Sequence, residues 1–95
     1  MSFAKVDPST GFDVVATALR EFVLKQFPLA RKNQVKNSDA LLESGMVDSM
    51  GILDVVAFIE KEYSIVISDE ELIPENFQSI DCIATFVVNK LPAKA

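Results

Sequence analysis

Leu41-Leu42-Glu43-Ser44-Gly45-Met46-Val47-Asp48-Ser49-Met50 is the stretch on which the fold turns. The chain tightens at Gly45, a residue that tolerates left-handed backbone, and then delivers Asp48 and Ser49 to the first turn of an amphipathic helix. Asp48 is the expected cap, since a short carboxylate at that position accepts a backbone N–H from one turn further on. Ser49 then offers a primary hydroxyl at the positive end of the helix dipole, where an attached anion is favoured.

Working forward, the helix is predicted to run from Asp48-Ser49 to about Tyr63. At about 100° per residue, Ile52, Val55, Val56, Ile59 and Tyr63 form one apolar stripe, with Leu53 and Phe58 on its flanks. The opposite face carries Met50, Asp54, Ala57 and Lys61 in a line, with Gly51 beside them. A methionine and an alanine on a solvent-facing strip next to Ser49 favour a docking surface.

Working backward, residues 28–47 are expected to be a long connection without regular structure. A loop of that length needs a function or anchors, and Leu29, Val35, Leu41, Leu42 and Val47 are the candidate anchors. Asn37-Ser38-Asp39 offers a turn. Arg31, Lys32 and Lys36 are expected to form a solvated basic face. Before this connection, Phe12, Val15, Ala16, Leu19, Phe22, Val23 and Phe27 recur at helical spacing and predict a first helix, stopped by Pro28. Asp7-Pro8 or Thr10 can cap it, and residues 1–9 are expected to be loosely held.

Beyond Tyr63, Ser64 to Ile67 is predicted to be extended, with Ile65 and Ile67 facing inward. Ser68-Asp69-Glu70-Glu71 has capping-box spacing, and Pro74 cuts short any turn that begins there. Pro74-Glu75-Asn76-Phe77 suits a single helical turn with Phe77 as a plug. The carboxylates Asp69, Glu70, Glu71 and Glu75 lack the ligand spacing and glycine of a calcium loop. Ser79 is the expected cap of a last helix, with Ile80, Ile83, Ala84, Val87 and Leu91 inward and Thr85 and Asn89 outward. Leu91-Pro92 ends it, and residues 92–95 are expected to be loosely ordered. Three substantial helices and one short turn around one core make an all-α domain spanning residues 1–95.

Ninety-five residues at 49% hydrophobic and 24% charged suit one small globular domain. Catalysis by Ser-His-Asp or Cys-His sets is excluded because the chain has no histidine. Cys82, the single cysteine, can form neither an internal disulfide nor a metal site and is expected to be a small apolar helix residue. A net charge of −5 disfavours nucleic acid and anionic membranes and favours basic protein surfaces. No apolar run approaches the roughly 20 residues of a membrane span. The opening residues lack a secretory apolar block, so a cytoplasmic setting is expected.

The dipeptide Asp48-Ser49 is common, and alone it says only that a helix starts. The wider pattern is more specific. Leu42 to Met50, an apolar helix ending Glu60-Lys61-Glu62-Tyr63, then Ile65-x-Ile67 and Pro74-Glu75-Asn76-Phe77-Gln78-Ser79-Ile80-Asp81 together resemble the acyl and peptidyl carrier protein family over nearly the whole chain. The resemblance implies a small four-helix bundle of acyl-carrier type and a monomeric, non-catalytic carrier. Ser49 would be the covalent attachment point of 4′-phosphopantetheine, transferred from coenzyme A by a separate Mg²⁺-using phosphopantetheinyl transferase. Asp48 would fix the helix end that holds it. Met50, Gly51, Asp54 and Ala57 would meet partners, which the resemblance gives as the transferase, an acyl- or aminoacyl-loading ligase and downstream acyl-processing enzymes.

Three positions depart from the family pattern. Met50 replaces the usual leucine at similar volume. Gly51 and Lys61 stand where carriers of fatty acid synthesis often have carboxylates. A less acidic helix favours a specialised stand-alone carrier for an amino acid, a modified acyl group or a secondary metabolite. An unmodified interaction module of the same fold is the alternative, and a serine enzyme is disfavoured by the missing histidine.

Overall fold

The computed structural model describes residues 11–91, which form four helices: α1 (Phe12–Gln26), α2 (Pro28–Lys32), α3 (Ser49–Tyr63) and α4 (Ile80–Lys90). Single 3₁₀ turns lie at Asp69–Glu71 and Pro74–Asn76, and the described residues contain no strand. The expected caps at Asp7-Pro8 or Thr10 and the expected loose ends lie outside the described residues. No helix among the described residues is long and apolar enough to cross a membrane.

The three long helices form where the 3.6-residue apolar period is strongest, and each buries that stripe. Val15, Ala16, Leu19 and Val23 of α1 meet Ile52, Val55, Val56, Ile59 and Tyr63 of α3 and Ile80, Ile83, Ala84 and Val87 of α4 in one core. Phe77, 1% exposed, fills the end of this core as expected, a burial that stabilises by roughly 1.5–3 kcal/mol. Ser79 caps α4 by accepting the Cys82 N–H at 3.1 Å. Cys82 itself is half-buried, because it lies beside the buried stripe of α4 and not on it.

The connection after α1 departs from expectation. Pro28 ends α1 but also opens α2, because a first-turn position needs no N–H and suits the fixed φ of proline. Leu29, expected as an anchor, is 51% exposed, and Ala30 is buried in its place. Neighbouring residues on a helix point about 100° apart, so only one of the two can face the core. The other anchors hold: Val35, Leu41 and Val47 are buried and Leu42 partly so. Arg31, Lys32 and Lys36 are exposed. The Asn37-Ser38-Asp39 turn forms, with the Asp39 carboxylate accepting the Lys36 N–H at 2.8 Å.

Polar bonds hold the rest of the connection in place. Leu41 N–H donates to Gln78 O at 2.8 Å, and Asn37 O accepts the Asp81 N–H, an otherwise unpaired donor in the first turn of α4, at 3.0 Å. Arg20, half-buried on α1, donates from one guanidinium nitrogen to Val35 O and to Asn37 Oδ1. Hydrogen bonds from a charged donor are the strong class. Arg20→Ala is therefore expected to lower unfolding free energy by roughly 2 kcal/mol, measured by urea denaturation, and to speed amide exchange at residues 35–41. Unchanged exchange there would show that the apolar anchors suffice.

Candidate functional site

The front of α3 is built by a tight coil. Gly45 adopts φ +81°, and an added Cβ there would meet nothing within 4 Å, so backbone conformation alone demands glycine. Val47 N–H then reaches back to Leu41 O at 3.1 Å and the Val47 side chain is buried. Asp48 is extended at the N-cap, its Oδ1 accepts the Gly51 N–H at 2.7 Å, and its carbonyl accepts the Ile52 N–H at 3.1 Å. Both bonds match the expected cap. Ser49, the first helical residue, is exposed. The structure therefore sets its hydroxyl at the positive end of a 15-residue helix, open to solvent.

Met50 (72% exposed), Asp54, Ala57 and Lys61 share the outer strip of α3. Gly51 does not belong with them. It is buried, and a Cβ on it would stand 2.7 Å from Phe27 Cε1 and 3.0 Å from Val47 Cγ1. Phe22 stacks on Phe58 at 4.4 Å and meets Phe27 edge-on at 6.3 Å, so three rings cover this flank of α3. The expected exposed position of Gly51 is thus corrected by packing from Phe27, just past the end of α1, and from Val47, which periodicity within α3 cannot reveal.

Leu53, expected on a buried flank, is 52% exposed. It stands at the rim of an apolar groove of about 360 Å³ that opens beside Ser49, with Leu42, Met50, Ile73 and Phe77 also in its lining. Sequence reasoning missed this groove. Its far wall, Leu72 to Pro74, lies in an irregular segment that carries no periodic signal.

That segment is fixed by carboxylates. Glu60 Oε2 accepts the Ile67 N–H at 2.9 Å, and Glu71 Oε1 accepts the Ser68 N–H at 3.0 Å, the expected capping-box bond. Glu71 also pairs with Lys90 Nζ at 3.0 Å. The Ser68 N–H first, and then Lys90, hold the Glu71 carboxyl below its ordinary value of 4.5. Among the described residues no group of three His, Cys, Asp or Glu side chains gathers to hold a metal ion.

Gly51→Val is expected to cost about 1–3 kcal/mol through overpacking against Phe27, read as a lower urea midpoint. Adding Phe27→Leu should recover part of that loss. Full stability of the single variant would mean that the ring moves aside freely.

No family model matches the chain. It is 30% identical over 59 residues to aminoacyl carrier protein 2 of Bradyrhizobium diazoefficiens, covering 58% of this chain and 66% of that protein, just under two thirds of it. It is 29% identical over 73 residues to an acyl carrier protein homolog of Mycoplasmopsis pulmonis, covering 77% of this chain and 96% of the relative. Together with a helical bundle whose second long helix opens on Asp48-Ser49, these likenesses support assignment of the chain to the acyl carrier protein family.

Proposed function

We propose that this protein is a carrier that holds an acyl or aminoacyl group on a 4′-phosphopantetheine arm attached to Ser49. The observation that supports this most is the exposed Ser49 hydroxyl at the Asp48-capped front of α3, beside an open apolar groove. A phosphodiester placed there gains from the helix dipole and from first-turn N–H groups. When bound, the arm supplies a thiol that carries cargo as a thioester.

The chain's own residues have limited tasks. Ser49 Oγ loses its proton and becomes the ester oxygen, while the phosphoryl bond to the adenosine bisphosphate part of coenzyme A breaks. Asp48 serves as the cap, with Oδ1 engaged by the Gly51 N–H, so base and Mg²⁺ are assigned to the separate transferase. Met50, Leu53, Asp54 and Ala57 form the face that partner enzymes meet, an apolar patch with a carboxylate in it. Such a surface gives fast, exchangeable association with basic partners. Transferase, loading ligase and acyl-processing enzymes are the partners this reading implies, in a cytoplasmic setting.

Lys61 on the outer strip and the glycine at position 51, which Phe27 leaves no room to enlarge, keep α3 less acidic. That favours a specialised carrier over a general fatty acid carrier. The relative named as an aminoacyl carrier makes an amino acid a cargo worth testing first.

Intact mass after co-expression with a broad-specificity phosphopantetheinyl transferase tests the attachment. The expected result is a gain of one phosphopantetheine, absent in Ser49→Ala. An unchanged mass would favour the unmodified interaction module. Asp54→Lys is expected to slow modification at low salt several-fold while the circular dichroism spectrum stays the same. Equal rates at low salt would remove the electrostatic part of docking.

A further inference from the structure

Glu71 is 22 residues from Ser49 in the chain, yet it directly precedes Leu72, Ile73 and Pro74, which line the same groove as Ser49. Its carboxylate accepts the Ser68 N–H, and Lys90 Nζ donates to both of its oxygens at 3.0 Å. Its carbonyl accepts Asn76 Nδ2 at 2.8 Å. Leu72, Ile73 and Pro74 follow directly and form the groove wall. Lys90 Nζ also lies 5.9 Å from the centroid of Phe86, whose ring is 5.5 Å from that of Phe77, a lining residue buried at the base of the groove. One ion pair thus reaches the wall through the backbone and the base through two rings.

We propose that Glu71 and Lys90 are positioning residues for the Ser49 site: their pair sets the width of the groove, and so the size of apolar cargo sheltered beside Ser49. This rests on the carrier reading above. The two side chains are 31% and 25% exposed, and such a pair adds little to global stability. Its effect falls on the segment it ties, because residues 72–78 are otherwise held by short-range bonds, the Asn76 side-chain bond and three 3₁₀ bonds, and by Gln78 O to Leu41 N–H. An aliphatic cargo that lies between Leu53 and Ile73 is shielded from water only while that wall stands.

The test uses the full chain in two arms. In the first, unmodified protein is compared with Lys90→Met, Glu71→Gln and Lys90→Arg by amide exchange. Exchange at Leu72, Asn76 and Phe77 is expected to rise on the order of tenfold in the first two variants and to stay near wild type in Lys90→Arg. Exchange in α1 and the melting temperature should change little in all three. In the second arm, protein carrying a butyryl, hexanoyl or decanoyl thioester on the thiol of a phosphopantetheine arm attached to Ser49 is treated with hydroxylamine, beside the same acyl-pantetheines free in solution. Wild type is expected to slow cleavage several-fold for a preferred length, and Lys90→Met to lose or lengthen that preference. Unchanged exchange in Lys90→Met, or an identical length profile, overturns the positioning role. A protein that takes no phosphopantetheine overturns the carrier reading instead, and the first arm still decides whether the pair holds the wall.

Discussion

A single hydrogen bond, from Gly51 N–H to Asp48 Oδ1, fixes where α3 begins. Val47 and Ile52, the two positions that bracket the cap, are both buried, the placement of a hydrophobic staple. Between them the chain must come to the surface, turn and start a helix. Asp48, Ser49 and Met50 are the residues that come out. Moving the cap by one residue would rotate the serine by about 100° and turn the apolar stripe of α3 away from the core. Helix start, core packing and hydroxyl exposure are therefore one constraint.

The long connection between α1 and α3 is stable for a related reason. It carries little regular structure beyond α2, so its polar backbone needs partners from elsewhere. Two of them come from the front of α4 and one from the Arg20 guanidinium. The Asn37 carbonyl satisfies the Asp81 N–H that the first turn of α4 leaves unpaired, so the loop and that helix end complete one another. The Ser49 coil hangs from this arrangement through Leu41, whose N–H is tied to Gln78 and whose carbonyl accepts from Val47.

Much of this was legible in the residues, and the limits follow from range. The bounds of α3, the Asp48 and Ser79 caps, the Ser68–Glu71 box and the Phe77 plug all rest on contacts a few residues apart, which spacing encodes directly. Helix α2 is only five residues long, too short for an apolar period to show. Gly51 sits about a quarter turn from the centre of its stripe, and its burial depends on Phe27 of another segment. Arg20 donates to Val35 O and Asn37 Oδ1, 15 and 17 residues further along the chain, a separation that local spacing does not encode. The groove beside Ser49 needs the placement of Leu72–Pro74 against Leu53, a relation between segments that no local pattern records.

The turn at Gly45 combines a left-handed backbone with empty space around its α-carbon. What restricts that position is chirality and not volume. A D-amino acid, whose mirror-image preference favours the same dihedral, would stiffen the coil four positions before the serine.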